Sequence, residues 1–299
     1  GRWLWAGAVV SLFGDWFNTL ALYRVVQDLS SEGSVLGDGY VALALVFVVK
    51  LLPLALAAPL AGVLVDRFNR RTVMIVSDVL RALIVLGFLL VREPGDLWLL
   101  YVLAAAQIMV SALFLPAKTA ALPNITTDRE LLTANALLSA TWSIMLALGA
   151  AVGGAAVEFL STDTVFLFDA ATYLVSAVFI ARAVIPQDRD DVPFLARALF
   201  RDRSVWPAVL GACVIVCVLG FTAIGLLEWT LVVLVFVLVA HAASVANWVL
   251  ATTLLQERTE DRFRGRVFST AWFFLALAET MSLLAACALL EAEALSLRT

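Results

Sequence analysis

Apolar runs of about twenty residues recur along almost the whole chain, separated by short polar breaks. They fall at 3–23, 40–64, 73–91, 97–117, 131–157, 163–185, 205–227, 229–255 and 267–290. Each run is continuous rather than alternating and is long enough to cross a hydrocarbon layer about 30 Å thick as a helix, so the pattern predicts transmembrane helices and not a barrel. The first run is too long for a secretory signal, carries Asp15 and precedes no small-residue cleavage site, which predicts a retained helix. A chain that starts at Gly1 rather than Met is expected to lack its natural N-terminus.

Composition agrees with an integral membrane protein: 63% of residues are hydrophobic and 15% charged, with a mean hydropathy of +0.99. Placement of basic residues says more than the net charge of −4. Arg67, Arg70 and Arg71 follow the second run, Arg129 the fourth, Arg189, Arg197, Arg201 and Arg203 the sixth, and Arg258, Arg262, Arg264 and Arg266 the eighth. The alternate loops are nearly bare, Arg24 and Arg92 excepted. The positive-inside rule therefore predicts a cytoplasmic N-terminus and cytoplasmic even-numbered exits. Cys213, Cys217 and Cys287 lie inside apolar runs and read as core thiols. Lys50 and Lys118, the only lysines, follow no glycine-rich phosphate loop, and His241 is the sole histidine. With no nucleophile–base or metal-ligand cluster, an enzyme, a cofactor, a metal and a nucleic-acid partner are not expected.

One polar break stands out. The stretch GVLVDRFNRRTVM (62–74) is short and dense in charge. Gly62 permits close helix approach, the three arginines anchor the turn in the cytoplasm, and Asp66 requires a partner in a partly dehydrated interface. An internal repeat appears further on: TAALPNITTDRELLTAN (119–135) and TTLLQERTEDRFRGRVF (252–268) align at an offset of 133, matching Thr119/Thr252, Leu122/Leu255, Thr126/Thr259, Asp128/Asp261 and Arg129/Arg262. Parallel repeats of this kind are one plan of secondary transporters.

These residues resemble the major facilitator superfamily. GVLVDRFNRR matches its signature loop between helices 2 and 3 at Gly62, Asp66, Arg67, Arg70 and Arg71, with Asn69 where a glycine is usual. SDVLRA (77–82), LPNITTDRELLTANAL (122–137), FDAATYLVSA (168–177) and QERTEDRFRGRVFS (256–269) are similar to the enterobactin-exporter-like and macrolide-efflux-like branch. The resemblance implies an all-α, polytopic helical bundle with about nine of twelve expected helices. It divides into an N-terminal six-helix bundle (1–185), a cytoplasmic linker (186–204) and an incomplete C-terminal bundle (205–299) resembling family helices 9 to 11. A truncated or internally deleted member is expected. By the same resemblance Asp66 contacts the N-terminal end of helix 11, here near Gly265 to Phe268, as a latch between halves. GAAVGG (149–154) resembles the antiporter motif at Gly149, Gly153 and Gly154, with Ala150 in place of proline. The implied activity is proton-coupled efflux of a small amphipathic compound of drug, macrolide or siderophore type. The alternative is a transport-inactive fragment or membrane interaction protein.

Charges inside the runs are the remaining candidates, because each is costly at mid-membrane. Asp78 and Arg81 are three apart and predict a pair on one helix. Asp169 is expected nearer the outer face. Counted from the cytoplasmic ends of their runs, Asp15 and Glu279 lie about 18 Å deep, and Lys50 and His241 about 21 Å. This predicts an Asp15–Lys50 pair and a His241–Glu279 pair as coupling groups. Trp16, Phe17, Trp142 and Trp272 are candidates to line a cavity.

Overall fold

A computed structural model describes residues 1–30, 39–187 and 230–296. Among them are eight α-helices: α1 (Arg2–Ser30), α2 (Gly39–Arg67), α3 (Arg70–Gly87), α4 (Leu97–Ala121), α5 (Asp128–Phe159), α6 (Thr162–Ala181), α7 (Thr230–Arg258) and α8 (Arg264–Ser296). No strand occurs among the described residues. Eight of the nine expected runs correspond to these helices. The ninth, 205–227, lies outside the described residues, as do Gly37, Arg189, Arg197, Arg201, Arg203, Cys213 and Cys217. Five described helical segments are long and apolar enough to cross a membrane by length and composition, in α2 to α6.

Polar residues at the breaks set the helix starts. Asn69 Oδ1 accepts from the backbone N–H of Thr72 (3.2 Å) and opens α3. Thr127 and Glu130 form a capping box on α5, and Ser161 caps α6. These caps lie outside the apolar runs, so the helices extend beyond them.

Side-chain polarity is inverted relative to a water-soluble bundle. In α3 the buried face carries Ser77, Asp78 and Arg81 beside Met74, Ala82 and Val85. Its exposed face is Val76, Val79, Leu80, Leu83 and Leu86. Leu60 of α2 is 70% exposed and Leu83 60%, exposures suited to lipid and not to water. Apolar surface therefore needs no partner here, and tight packing of small and polar faces holds the helices together.

Antiparallel succession brings the N-terminus of α1, the α2–α3, α4–α5 and α7–α8 turns and the end of α6 to one charged end. There Leu4, Val65, Met74, Phe114, Ala117 and Ile180 form a core cluster. A larger core toward the other end joins Phe17, Leu22, Val26, Phe88, Leu100, Phe166 and Tyr173. Arg24 and Arg92, the two basic residues out of pattern, are neutralised at that other end. Arg92 pairs with Asp163 at 2.9 Å and Arg24 with Asp28 at 3.1 Å. Among the described residues, α1 packs on α6 and α5, and α3 on α6 and α4. The last two helices dock on this group, α8 along α2 and α4, and α7 on α5.

The three antiporter-motif glycines divide. A Cβ on Gly149 would lie 2.7 Å from Trp16 Cβ, and one on Gly153 3.0 Å from Leu20 Cδ1, so both let α5 lie close to α1. A Cβ on Gly154 would meet nothing within 4 Å. One residue beyond Gly153 turns the helix by about 100°, which points Gly154 away from α1. We expect Gly149→Val to lower the melting temperature, at a cost of about 1–3 kcal/mol by overpacking, and Gly154→Val to leave it unchanged. Thermal unfolding of both variants in detergent checks the contrast.

Candidate functional site

Asp66 ends α2 and reaches the start of α8. Its Oδ1 accepts from the backbone N–H of Gly265 at 2.7 Å, and its Oδ2 from the N–H of Arg266 at 3.1 Å and from Arg266 Nε at 3.0 Å. The first N–H groups of a helix lack intrahelical partners and carry positive partial charge. A carboxylate at that position contributes about 0.3–1 kcal/mol, or about 2 when partly buried, and the Asp66 side chain is only 4% exposed.

Glycine at two positions makes the approach possible. A Cβ on Gly62 would fall on Ser269 Oγ and lie 2.9 Å from Arg266 Cα. One on Gly265 would lie 2.8 Å from Gly62 O and 2.5 Å from Asp66 Oδ1. The two backbones therefore cross in contact, and the carboxylate fits over the crossing.

Arg70 occupies the centre of the junction. The sequence reads it as one of three arginines anchoring the signature loop, and it is 0% exposed. Its NH1 donates to Asp261 Oδ1 (2.6 Å) and to Ala120 O at the end of α4 (3.0 Å), and its NH2 to Asp261 O (2.6 Å). The backbone N–H of Arg70 donates to Gln187 Oε1 at 3.0 Å. One guanidinium thus ties the α2–α3 turn to the end of α4 and to the α7–α8 turn. Arg67 is exposed, and Arg71 donates to the carbonyl of Ala181 at the end of α6.

A second set of polar residues, given no role by the sequence, extends the junction. Arg264 NH1 donates to Asn124 Oδ1 at 2.7 Å, and Asn124 Nδ2 to Pro186 O at 2.7 Å. Between α5 and α7, Asn135 Nδ2 donates to Gln256 Oε1 (2.5 Å) and to Thr253 Oγ1 (3.0 Å), while Gln256 Nε2 donates to Thr119 O (2.8 Å). Asn124, Asn135 and Gln256 all lie in segments quoted for the family resemblance, and that was the available signal. The repeat loops are used unequally. Asp261 binds Arg70 and Arg264, Arg262 pairs with exposed Glu260, Arg129 is exposed, and the side chain of Asp128 lies outside those described.

Inside α1 to α6 sits a buried polar cluster. Asp78 and Arg81 pair as expected, buried at 0% and 2% exposure, with the guanidinium over the rings of Phe114 (4.6 Å) and Tyr173 (4.4 Å). The Asp15–Lys50 pair does not form. Lys50 Nζ donates to Thr19 Oγ1 at 2.7 Å, whereas Asp15 accepts from Tyr173 OH, which in turn accepts from Gln107 Nε2 at 3.0 Å. The reason is length: α2 ends at Arg67 rather than 64, which raises Lys50 to about 26 Å from the charged end, one turn above Asp15. Asp169 lies seven residues from the Thr162 end of α6 and twelve from its Ala181 end, nearer the end away from the charged one. Because α6 ends at Ala181, Asp169 lies about 18 Å from that end, level with Asp15, and its Oδ1 abuts Gly14. The second pair is not assembled either: Glu279 is exposed on α8, and the side chain of His241 lies outside those described. Trp142 is 46% exposed, Trp272 stacks at 5.5 Å on Trp248, Trp16 packs on Gly149, and Phe17 is in the core.

Residues 4–213 match the model of the Major Facilitator Superfamily. The chain is 30% identical over 233 residues to the MFS-type transporter YfiS of Bacillus subtilis, covering 72% of this chain and 53% of that one. It is 30% identical over 182 residues to BacE of the same species, described as a bacilysin exporter, covering 60% and 43%. A solved bacterial homologue of the iron transporter ferroportin, in an outward-facing state, superposes with a TM-score of 0.72 at 15% identity, over 97% of this chain and 92% of that one. The chain belongs to the Major Facilitator Superfamily. It is an integral membrane protein, and it spans about half the length of the curated relatives it matches.

Removing one partner of a buried ion pair leaves the other uncompensated, at a cost of about 3–5 kcal/mol. Arg70→Ala is therefore expected to lower stability strongly, and Arg70→Ala with Asp261→Ala to cost less than the sum of the single changes. A double-mutant cycle on melting temperature checks this.

Proposed function

We propose that the chain belongs to a secondary exporter of a small amphipathic compound, driven by proton exchange, with the Asp66 junction as its gate on the cytoplasmic side. The observation that carries this is the carboxylate of Asp66 on the bare N-terminal N–H groups of α8 across a glycine–glycine crossing. Such a contact is strong while the backbones touch and is lost in one step when they part, which suits a two-state element. An exporter named among the relatives supports the direction of transport.

In this reading α1 to α6 are the N-terminal bundle, and residues 205–299 contribute the counterparts of family helices 9 to 11, joined by a cytoplasmic linker at 186–204. The charged end, with Arg67, Arg71, Arg129 and Arg258, faces the cytoplasm of a bacterial inner membrane, and the N-terminus is on that side. Opening toward the cytoplasm breaks the Asp66–α8 and Arg70–Asp261 contacts. Lipid is the surrounding partner, the substrate a small molecule, and the proton the coupling ion.

Two measurements test this. In a background without Cys213, Cys217 and Cys287, a cysteine at Arg129 should react with an impermeant thiol reagent only from the cytoplasmic side, and one at Gly95 in intact cells. The reverse pattern overturns the orientation. Cells expressing the chain should expel ethidium in a protonophore-sensitive way, and Asp66→Asn should raise thiol accessibility of cytoplasmic-side positions while slowing efflux. Unchanged accessibility and efflux in Asp66→Asn would reduce the junction to a static anchor.

A further inference from the structure

Asp169 poses a hydrogen-counting problem that the gate does not touch. Its side chain is 0% exposed, and its Oδ2 has no hydrogen-bond partner. No ion pair among the described residues reaches it. Thr172 Oγ1 lies 3.4 Å from Asp169 Oδ1, but the one hydrogen of that hydroxyl is committed to Asp169 O at 2.7 Å. A hydroxyl has a single hydrogen to give. The remaining contact is therefore acceptor to acceptor unless the carboxyl group supplies the hydrogen.

The surroundings ask for the same thing. Gly14 lets α1 lie against this carboxyl, since a Cβ there would meet both Thr172 Oγ1 and Asp169 Oδ1. One turn along α1, Asn18 faces the same carboxyl, is 1% exposed and has neither Oδ1 nor Nδ2 satisfied. Asp15 on α1 is a second carboxylate at this level, held by Tyr173 of α6. From α3 come Asp78 and Arg81, bound to each other, from α2 Lys50, bound to Thr19, and from α4 Lys118, nearer the charged end. Against α6, α5 presents Met145. The Asn18 amide is the nearest donor and makes no hydrogen bond of normal geometry, and an ionised carboxylate so placed, with no cation in contact, is costly away from water.

We infer that Asp169 is a neutral carboxylic acid in this state, its O–H given to Thr172 Oγ1 or Asn18 Oδ1, and that it carries the coupling proton. The proton leaves to water when the bundle opens toward one side and is regained from the other. The carboxylate left behind then faces Arg81 and Lys50 across the cluster. Tyr173, between Asp15 and Gln107, senses the change through Asp15, which ties proton release to the α1–α6 contact. This rests on the proton-exchange reading given above, but the protonated state of Asp169 stands independently of any substrate.

Infrared spectroscopy separates the two. The purified chain in lipid bilayers at neutral pH should show the carbonyl stretch of a protonated carboxylic acid. Asp169→Asn, close to isosteric with the neutral acid, should fold and abolish that band. Asp169→Glu should keep it at a shifted position, and Asp15→Asn should leave it in place. Absence of the band from the unsubstituted chain, or its persistence in Asp169→Asn, overturns the inference. For coupling, ethidium efflux in Asp169→Asn should lose the part of its rate that depends on a pH gradient and retain downhill movement. Intact gradient dependence in that variant would overturn the coupling role. Should the unsubstituted chain move no ethidium, the export reading fails while the infrared band still decides whether Asp169 holds a proton.

Discussion

The crossing of α2 over α8 is possible only because two residues there lack a side chain. With Gly62 and Gly265 in contact, the carboxylate of Asp66 lies within 3.1 Å of two backbone N–H groups at the start of α8. Any Cβ at either glycine would separate the backbones and strand the carboxylate in a region where water cannot replace the lost donors. Other contacts at the charged end build outward from this point. Arg70 opens α3 four residues after Asp66, across the α2–α3 turn, and Asp261 and the end of α4 receive its guanidinium.

Much of the fold was legible because a bilayer imposes a length on each helix, and eight of the nine apolar runs correspond to described helices. Ends were less legible. The caps at Asn69, Thr127 and Ser161 sit in polar segments, and a count that starts from the hydrophobic edge misses them. Small errors at ends propagate into depth. Ala183 and Ile185 are buried as core residues beyond the end of α6, so hydrophobicity alone extends that helix to 185 and adds about 6 Å to the counted depth of Asp169. The same effect of opposite sign on α2 set Lys50 beside Asp15, where the structure places it beside Thr19.

The candidate site divides in a similar way. Asp66 was marked because a lone acid among arginines at a membrane face needs a partner, and a motif named the partner. The burial of Arg70 was not legible, since counting basic residues per loop gives sidedness and carries no information on which arginine is solvated. Only the three-dimensional junction distinguishes Arg67, exposed, from Arg70, at 0% exposure. Asn124, Asn135 and Gln256 have no charge to draw notice, yet in a dehydrated junction their amide groups must find partners, and they find them on other helices.

Polar faces turned inward and apolar faces turned outward give the molecule two kinds of polar interior. At the charged end most donors and acceptors are paired between α1–α6 and the last two helices, with Arg70 Nε and Arg71 Nε left over. Around Asp169 and Asn18 more of them are mismatched, on α1 and α6 and also at Asp78 and Arg81 of α3 and Gln107 of α4. A matched network holds one arrangement, whereas a mismatched one leaves an atom free to take or give a proton. Closing the first while leaving the second unsatisfied lets a single arrangement of helices be both locked and responsive. The connection between them runs along α6, from Asp169 through Tyr173 to Ala181, whose carbonyl accepts from Arg71 beside the Asp66 junction.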